Sequence, residues 1–193
     1  IGRLVGSEMC IRDSNIPVAT SFRRQDLFDH KNENFAGSFG TSVSPKLIDS
    51  TKNSDLIIVL GARLGEMTTQ GYSIISPQDI SKNIIHIHVD PNELNKVFNA
   101  NVCINVGVNE CCDKLEELTL DNSNRWKQWR NELNKNYLED SKPQKNRNLN
   151  NLSEIFEIVE KKFPTNSIIT LDAGNNAAWP QRFLSFGKNR RQI

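Results

Sequence analysis

The sequence predicts an α/β fold, a Rossmann-like parallel sheet followed by the truncated start of a second α/β domain, and three observations point there. DLIIVLG at 55–61 is an unbroken apolar run, as burial on both faces of a parallel sheet requires. NIIHIHVD at 83–90 and VCINVG at 102–107 supply two further strands, and helix-patterned or crossover-length stretches separate the runs. The size agrees, because 193 residues at 37% hydrophobic and 24% charged fit a globular chain of one domain with part of a second.

In chain order, PVATSF at 17–22 is a short strand opened by a proline, which a strand tolerates at its first residue. RRQDLFDHKNENFAGSFG, at 23–40, carries no clear period and is expected to be irregular. Residues 45–52 form a helix with Leu47 and Ile48 on one face, and 55–61 is the strand that follows. The stretch 62–82 is rich in turn residues. After the strands at 83–90 and 102–107 comes a helix at 109–118, which closes a central domain of residues 15–118. Residues 119–148 are expected to be a linker plus a docking helix, with Trp126, Trp129 and Leu133 at helical spacing. Residues 149–193 begin a second domain, whose first helix at 150–164 carries Ile155, Ile158 and Val159 on one face.

The first fourteen residues, IGRLVGSEMCIRDS, have no clear period, and EMCIRDS resembles a translated sequencing adapter. They are set aside from the fold as foreign or disordered, the alternative being a frayed native N-terminus. They show no signal-peptide apolar region. Lys and Arg number 24 against 23 Asp and Glu, so no basic excess points to nucleic acid. No apolar run approaches the roughly 18 residues that a membrane span needs. The four cysteines, Cys10, Cys103, Cys111 and Cys112, form no CxxC pair, and reduced thiols in a cytoplasmic protein are expected.

Ligands of open α/β sheets gather beyond the carboxyl ends of the strands. Arg63 lies just past such an end, where it can meet a phosphate or a surface carboxylate. Gly37 and Gly40, in GSFGTS, stand where a backbone can pass close to a ligand, although a lone GxxG is a weak signal. Asp90 opens DPNE, which can serve as an N-cap with Pro91 at N1 and Glu93 at N3, or can meet a ribose. His86 and His88 share a strand face without an apparent third ligand, which favours packing over metal.

IPVATSFRRQDLFDH, GSFGTSVSPKL, DLIIVLGARLGE, NIIHIHVDPNELNKV and SIITLDAGNNAAW, in that order, resemble the thiamine-diphosphate-dependent enzymes of the acetolactate synthase type. The resemblance runs from about Asn15 to Phe186 and covers the central domain plus the start of the C-terminal, diphosphate-binding domain. It implies an enzyme acting on 2-oxo acids by decarboxylation and carboligation, with thiamine diphosphate and Mg²⁺ as cofactors and FAD as an open addition. It also implies a homodimer or homotetramer at full length. The family's activating glutamate and its metal-holding GDG motif find no counterpart here, so the chain is expected to be a fragment, inactive alone, with no catalytic or metal-binding residue of its own.

Carried over residue by residue, the resemblance assigns the diphosphate contact to Ala173, Gly174, Asn175 and Asn176. They stand in place of Val-Gly-Gln-His, so Asn176 replaces an imidazole. In flavin-binding members Gly-Ala-Arg precedes acidic residues, as do Gly61, Ala62 and Arg63 here. Their Asp-Ile-Asp-Pro has become His88, Val89, Asp90 and Pro91. The competing class is a non-catalytic α/β nucleotide-binding or scaffolding module that uses the same strand ends.

Overall fold

A computed structural model describes residues 14–79, 81–117, 123–143, 152–187 and 189–193. Cys10, the N-terminal segment to residue 13 and both flanks of the expected linker lie outside them. In chain order the elements are β1 (Val18–Thr20), β2 (Phe35–Ser38), α1 (Pro45–Asn53), β3 (Leu56–Leu60), α2 (Glu66–Thr69), β4 (Asn83–Ile87), β5 (Val102–Ile104) and α3 (Val108–Glu116). Then follow α4 (Lys127–Asp140), α5 (Leu152–Lys162), β6 (Ile168–Ile169), α6 (Ala178–Phe183) and β7 (Arg191–Gln192). The four expected strands of the first domain and both of its helices form, the strands at 18–20 and 56–60 trimmed at both ends and those at 83–87 and 102–104 at their carboxyl ends.

All strand pairs are parallel: β1 with β2, β3 with β4, β4 with β5, and β6 with β7. The fold is therefore α/β, but two departures from expectation matter. β2 forms inside the stretch expected to be irregular. Gly37 interrupts its apolar run and so hides the strand from pattern reading, yet Phe35 is fully buried there. The sheet is also not one continuous layer, because β1–β2 and β3–β4–β5 are separate sheets.

The run 55–61 is not buried on both faces as expected. Val59 and Ile84 turn inward with Leu64, Ile74, Ile75 and Phe98 to make the main core. On the opposite face Leu56 is 41% and Ile58 49% exposed. No described helix covers them, which leaves this half of the apolar signal unanswered within these residues.

Two contacts fix the surroundings of β3. The Lys82 ammonium, buried just before β4, donates to the carbonyls of Thr51, Lys52 and Ser54 at 3.2, 2.7 and 2.6 Å. These lie at the carboxyl end of α1, where the helix dipole favours a cation and orphan carbonyls need donors. Helix α4 lies against β2. Trp129 Nε1 donates to Ser50 Oγ at 2.8 Å, Asn134 Nδ2 to Phe35 O at 2.9 Å, and Leu133 joins Ala36 and Leu47 in a second core cluster.

His30 joins three parts of the chain. Its ring stacks on Phe35 at 4.0 Å and meets Tyr137 of α4 and Phe186 edge-on at 5.8 and 5.7 Å. Nε2 faces the Gln25 carbonyl at 2.9 Å and must carry the proton, which leaves Nδ1 to accept from the Tyr137 hydroxyl at 3.3 Å. Burial pushes the His30 pKa down from 6.5 to about 4, against smaller opposing effects of the Gln25 carbonyl, Asp29 and Asp26. The unfolded chain therefore takes up a proton between pH 6.5 and 4 that the folded chain refuses. Stability from this site is intact above pH 6.5 and drains as the pH falls towards 4, by about 3 kcal/mol in all. Denaturant titrations at pH 7 and pH 4.5 should show a larger acid loss for the native chain than for His30→Gln. Equal losses would remove His30 as the acid-sensitive group.

Candidate functional site

The in-register pairing of β3, β4 and β5 brings three strand ends to one edge. Gly61 N donates to Ile87 O at 2.9 Å, and His88 N to Ile104 O at 3.1 Å, so the backbone stays tied as each strand ends. Asn105 Nδ2 donates to the carbonyls of both His88 and Val89 at 2.9 Å. Gly61 turns the chain at φ +68° under Val108, whose Cγ2 would lie 2.7 Å from a Cβ built there. Only glycine fits that combination without strain.

Past this turn Arg63 leaves the sheet with its side chain 71% exposed. Among the described residues its ion pair is to Glu93, at 3.9 Å, a separation and exposure that contribute little. Lys96 approaches Glu93 more closely, at 3.0 Å, and hydrogen bonding from Lys96 is the main reason the Glu93 carboxyl is held below its ordinary pKa. The Arg63 guanidinium thus stands at the edge with most of its donors turned to solvent.

Asp90 serves as an N-cap. Its Oδ1 accepts from Asn92 N at 3.0 Å and from Asn92 Nδ2 at 3.0 Å, and these bonds hold its carboxyl below the usual range. The reciprocal half of the expected capping box is missing. Glu93 turns to Lys96, and Asp90 N donates instead to His88 Nδ1 at 3.1 Å. The short turn Pro91–Glu93 is 3-10, too tight for Glu93 to fold back on the cap. His86 Nε2 donates to Ala62 O at 2.9 Å, so this histidine pins the backbone just before Arg63.

The two glycines of the GSFGTS stretch separate. Gly40 follows β2, and its carbonyl accepts from Nε2 of Gln70, the residue that ends α2, at 3.3 Å. It sits at φ +129°, and a Cβ there would meet Phe22 Cδ2 at 2.5 Å. Gly37 lies within β2, at φ +122°, beneath Leu47 of α1 and Tyr137 of α4. Both glycines admit close packing by side chains of this chain.

Ala173, Gly174, Asn175 and Asn176 form an exposed turn after β6, remote in sequence from the strand-end cluster. Gly174, at φ +138°, opens a 3-10 turn over Asn175–Ala177. The Asn176 side chain folds back towards Gly174, its Oδ1 3.1 Å from where a Cβ would stand. Ala173 N is already engaged by Asp172 Oδ1 at 2.7 Å.

Sequence reasoning overlooked Gln70, Asn105 and the positioning contact of His86. Each acts through a backbone carbonyl distant in sequence, and no local pattern announces such a bond. Cys103 is an exposed thiol and Cys111 a buried one whose pKa burial raises. No helix among the described residues is long and apolar enough to cross a membrane.

Residues 9–115 match the family model described as thiamine pyrophosphate enzyme, central domain. A probable acetolactate synthase large subunit of Methanocaldococcus jannaschii is 27% identical over 179 residues, 88% of this chain and 29% of that relative. The acetolactate synthase large subunit of Corynebacterium glutamicum is 23% identical over 183 residues, covering 92% and 29% of the two chains. That of Buchnera aphidicola is 24% identical over 191 residues, covering 93% and 31%. The chain thus spans about three-tenths of the length of these relatives. With the parallel α/β architecture in place and more than half of its residues matched by one family model, the chain belongs to the central-domain family of thiamine pyrophosphate enzymes.

Proposed function

We propose that these residues are the central region, and the beginning of the diphosphate-binding region, of a cytoplasmic thiamine-diphosphate-dependent enzyme of the acetolactate synthase type. The observation that carries this reading is the agreement of the family match with three relatives that all bear the name acetolactate synthase large subunit. The substrates would be small 2-oxo acids and the assembly a homodimer or homotetramer. When bound, thiamine diphosphate supplies the electron sink for decarboxylation of the 2-oxo acid.

Within this chain the turn 173–176 fits a diphosphate in two respects. Its residues are exposed, and the glycine conformation at Gly174 lets an anion approach the backbone. Asn176 offers a neutral amide where relatives of the type carry an imidazole, so it would hold the anion without a titratable proton. Asp172, beside the turn, opposes a second negative charge and ties up the Ala173 N–H. Gly174 and Asn176 are therefore assigned most of the contact. Mg²⁺ would be held by residues outside these 193.

Arg63 and Asp90 suit a different group, the phosphates and ribose of a nucleotide such as FAD. The open Arg63 guanidinium supports the first contact. Asp90 can supply the second with its remaining carboxylate lone pairs while Oδ1 continues to cap. Gly40 adds a closely packed loop beside them, whereas Gly37, beneath Tyr137, is the least suited of the four to meet a ligand. A non-catalytic nucleotide-binding module would use the same edge and is separated from the enzyme by turnover.

The full-length protein should release CO₂ from pyruvate only with thiamine diphosphate and Mg²⁺ present. Failure of thiamine diphosphate to bind that protein, followed by calorimetry, would sink the reading. Gly174→Ala in it should raise the half-saturating thiamine diphosphate concentration about tenfold, because a side chain at this φ is strained. An unchanged value would take the turn out of the cofactor site. Arg63→Ala should weaken FAD or ADP binding by roughly 1.5 kcal/mol or more, the loss expected of a charge-assisted hydrogen bond. Equal affinity in wild type and variant would return Arg63 to a solvated surface role.

A further inference from the structure

A cleft where α1, α4 and α6 meet carries an inference of its own. Gln181 of α6 borders it and is 6% exposed, yet both polar atoms of its amide, Nε2 and Oε1, are buried with no hydrogen-bond partner among the described residues. A dry, unpaired amide is destabilising, and native proteins rarely keep one without a ligand, ion or water to match it. The groups around it are mostly donors. Ser42, Ser44 and Leu47 line the cleft and place the amino end of α1 in its wall. Pro45 at N1 has no N–H, but those of Lys46 and Leu47 lie in the first turn, where no intrahelical acceptor exists, and the Ser44 side chain does not cap them. These N–H groups and the helix dipole favour an anion.

The carboxyl end of α4 borders the same cleft through Asp140 and Ser141 and on its own would repel an anion. Arg182 offsets it: Nη2 donates to Asp140 Oδ1 at 2.6 Å and Nε to Asp140 O at 3.1 Å, which leaves Nη1 outside the pair. Lys46 Nζ donates to Asn136 Oδ1 at 2.8 Å and so ties the start of α1 to α4. The cleft offers about 30 Å³, roughly twice the 10–15 Å³ that one water needs. One tetrahedral oxyanion fits, and a nucleotide does not. We propose that this cleft is a site for a hydrogen phosphate group, separate from the strand-end edge with Arg63 and Asp90 and from the turn at 173–176. Its unprotonated oxygens would accept from the Lys46 and Leu47 N–H groups, the Ser42 and Ser44 hydroxyls and Gln181 Nε2. Its P–OH would donate to Gln181 Oε1, so one ligand answers both halves of the orphan amide. The terminal torsion of a glutamine is broad, and a turn about it brings the amide to the ligand. Sulfate carries no proton at neutral pH and would leave Oε1 unmatched. Water lacks the charge that the helix end favours.

The test is calorimetry on the 193-residue chain with inorganic phosphate, at ionic strength held constant with chloride. Phosphate should bind at a single site, and sulfate about tenfold or more weakly, the loss expected when Oε1 stays unpaired. Phosphate should also slow hydrogen exchange at the Lys46 and Leu47 amides about tenfold and leave the β5 amides unchanged. Gln181→Leu should abolish binding and leave the phosphate-free chain at least as stable, because the unpaired amide is gone. Ser44→Ala is the second variant, since Ser44 makes no cap bond for its loss to break, and it should weaken phosphate binding while the fold persists. Glycerol phosphate distinguishes two sources of the same chemistry. Affinity equal to that of inorganic phosphate would assign the site to the head of a small monoester, and much weaker binding to the free anion; either supports the site. No phosphate binding, equal binding of sulfate, or unchanged binding in Gln181→Leu and Ser44→Ala would overturn the proposal, and the cleft would then hold water only.

Discussion

The pairing of β3 with β4 is the constraint on which the rest depends. Five consecutive residue pairs, Leu56 with Asn83 through Leu60 with Ile87, lie in unbroken parallel register. A slip of β3 by one residue would turn Val59 out of the core and set Ile58 in its place. It would also part Gly61 N from Ile87 O, the bond that ends one strand and begins the turn carrying Arg63. Core and edge are therefore specified by one register. Lys82 reinforces it from the other end, since the residue that precedes β4 is anchored on the carbonyls that precede β3.

Much of this was legible in the sequence. The apolar runs at 55–61 and 83–90 announced parallel strands, and Asp90 with Pro91 announced a helical turn. In each case the information is local: a run, a cap, a proline at N1. Where the information is not local, reading failed. β2 is a strand because Phe35 is sealed between His30 and Tyr137, residues far apart in the chain. Its own pattern, FAGS, says nothing of that. Gly37 packs beneath Leu47 of α1 and Tyr137 of α4, two helices far apart in the chain, a contact no local pattern announces.

The edge residues sort by the same rule. Arg63 and Asp90 could be named from their places after strands. Their neighbours could not, because Asn105, Gln70 and His86 each act on a backbone carbonyl 16 to 30 residues away. Such bonds have no periodicity. They follow from the three-dimensional arrangement and then hold it, so the residue types, a histidine and two amides, are ordinary ones. The apolar run at 55–61 misled in a different way. It is apolar on both faces, but among the described residues only the Val59 face is packed, while Leu56 and Ile58 stay exposed.

Electrostatics at the strand ends favours one side of the edge for an anion. Asp90 keeps its negative charge well into the acid range, because the ionised form accepts from Asn92, and Glu93 does so under Lys96. A phosphate placed over the turn after β4 would face both carboxylates. Placed over the turn after β3, towards Gly40, it would meet Arg63 first. Because Glu93 binds Lys96 more closely than Arg63, neutralising Arg63 by an incoming anion breaks no strong native pair. A neutral hydroxyl-bearing portion of the same ligand would be the part able to approach Asp90. The order of charges along the edge would thus orient a nucleotide bound there as proposed, phosphates over the β3 end and sugar over the β4 end, before any shape complementarity acts.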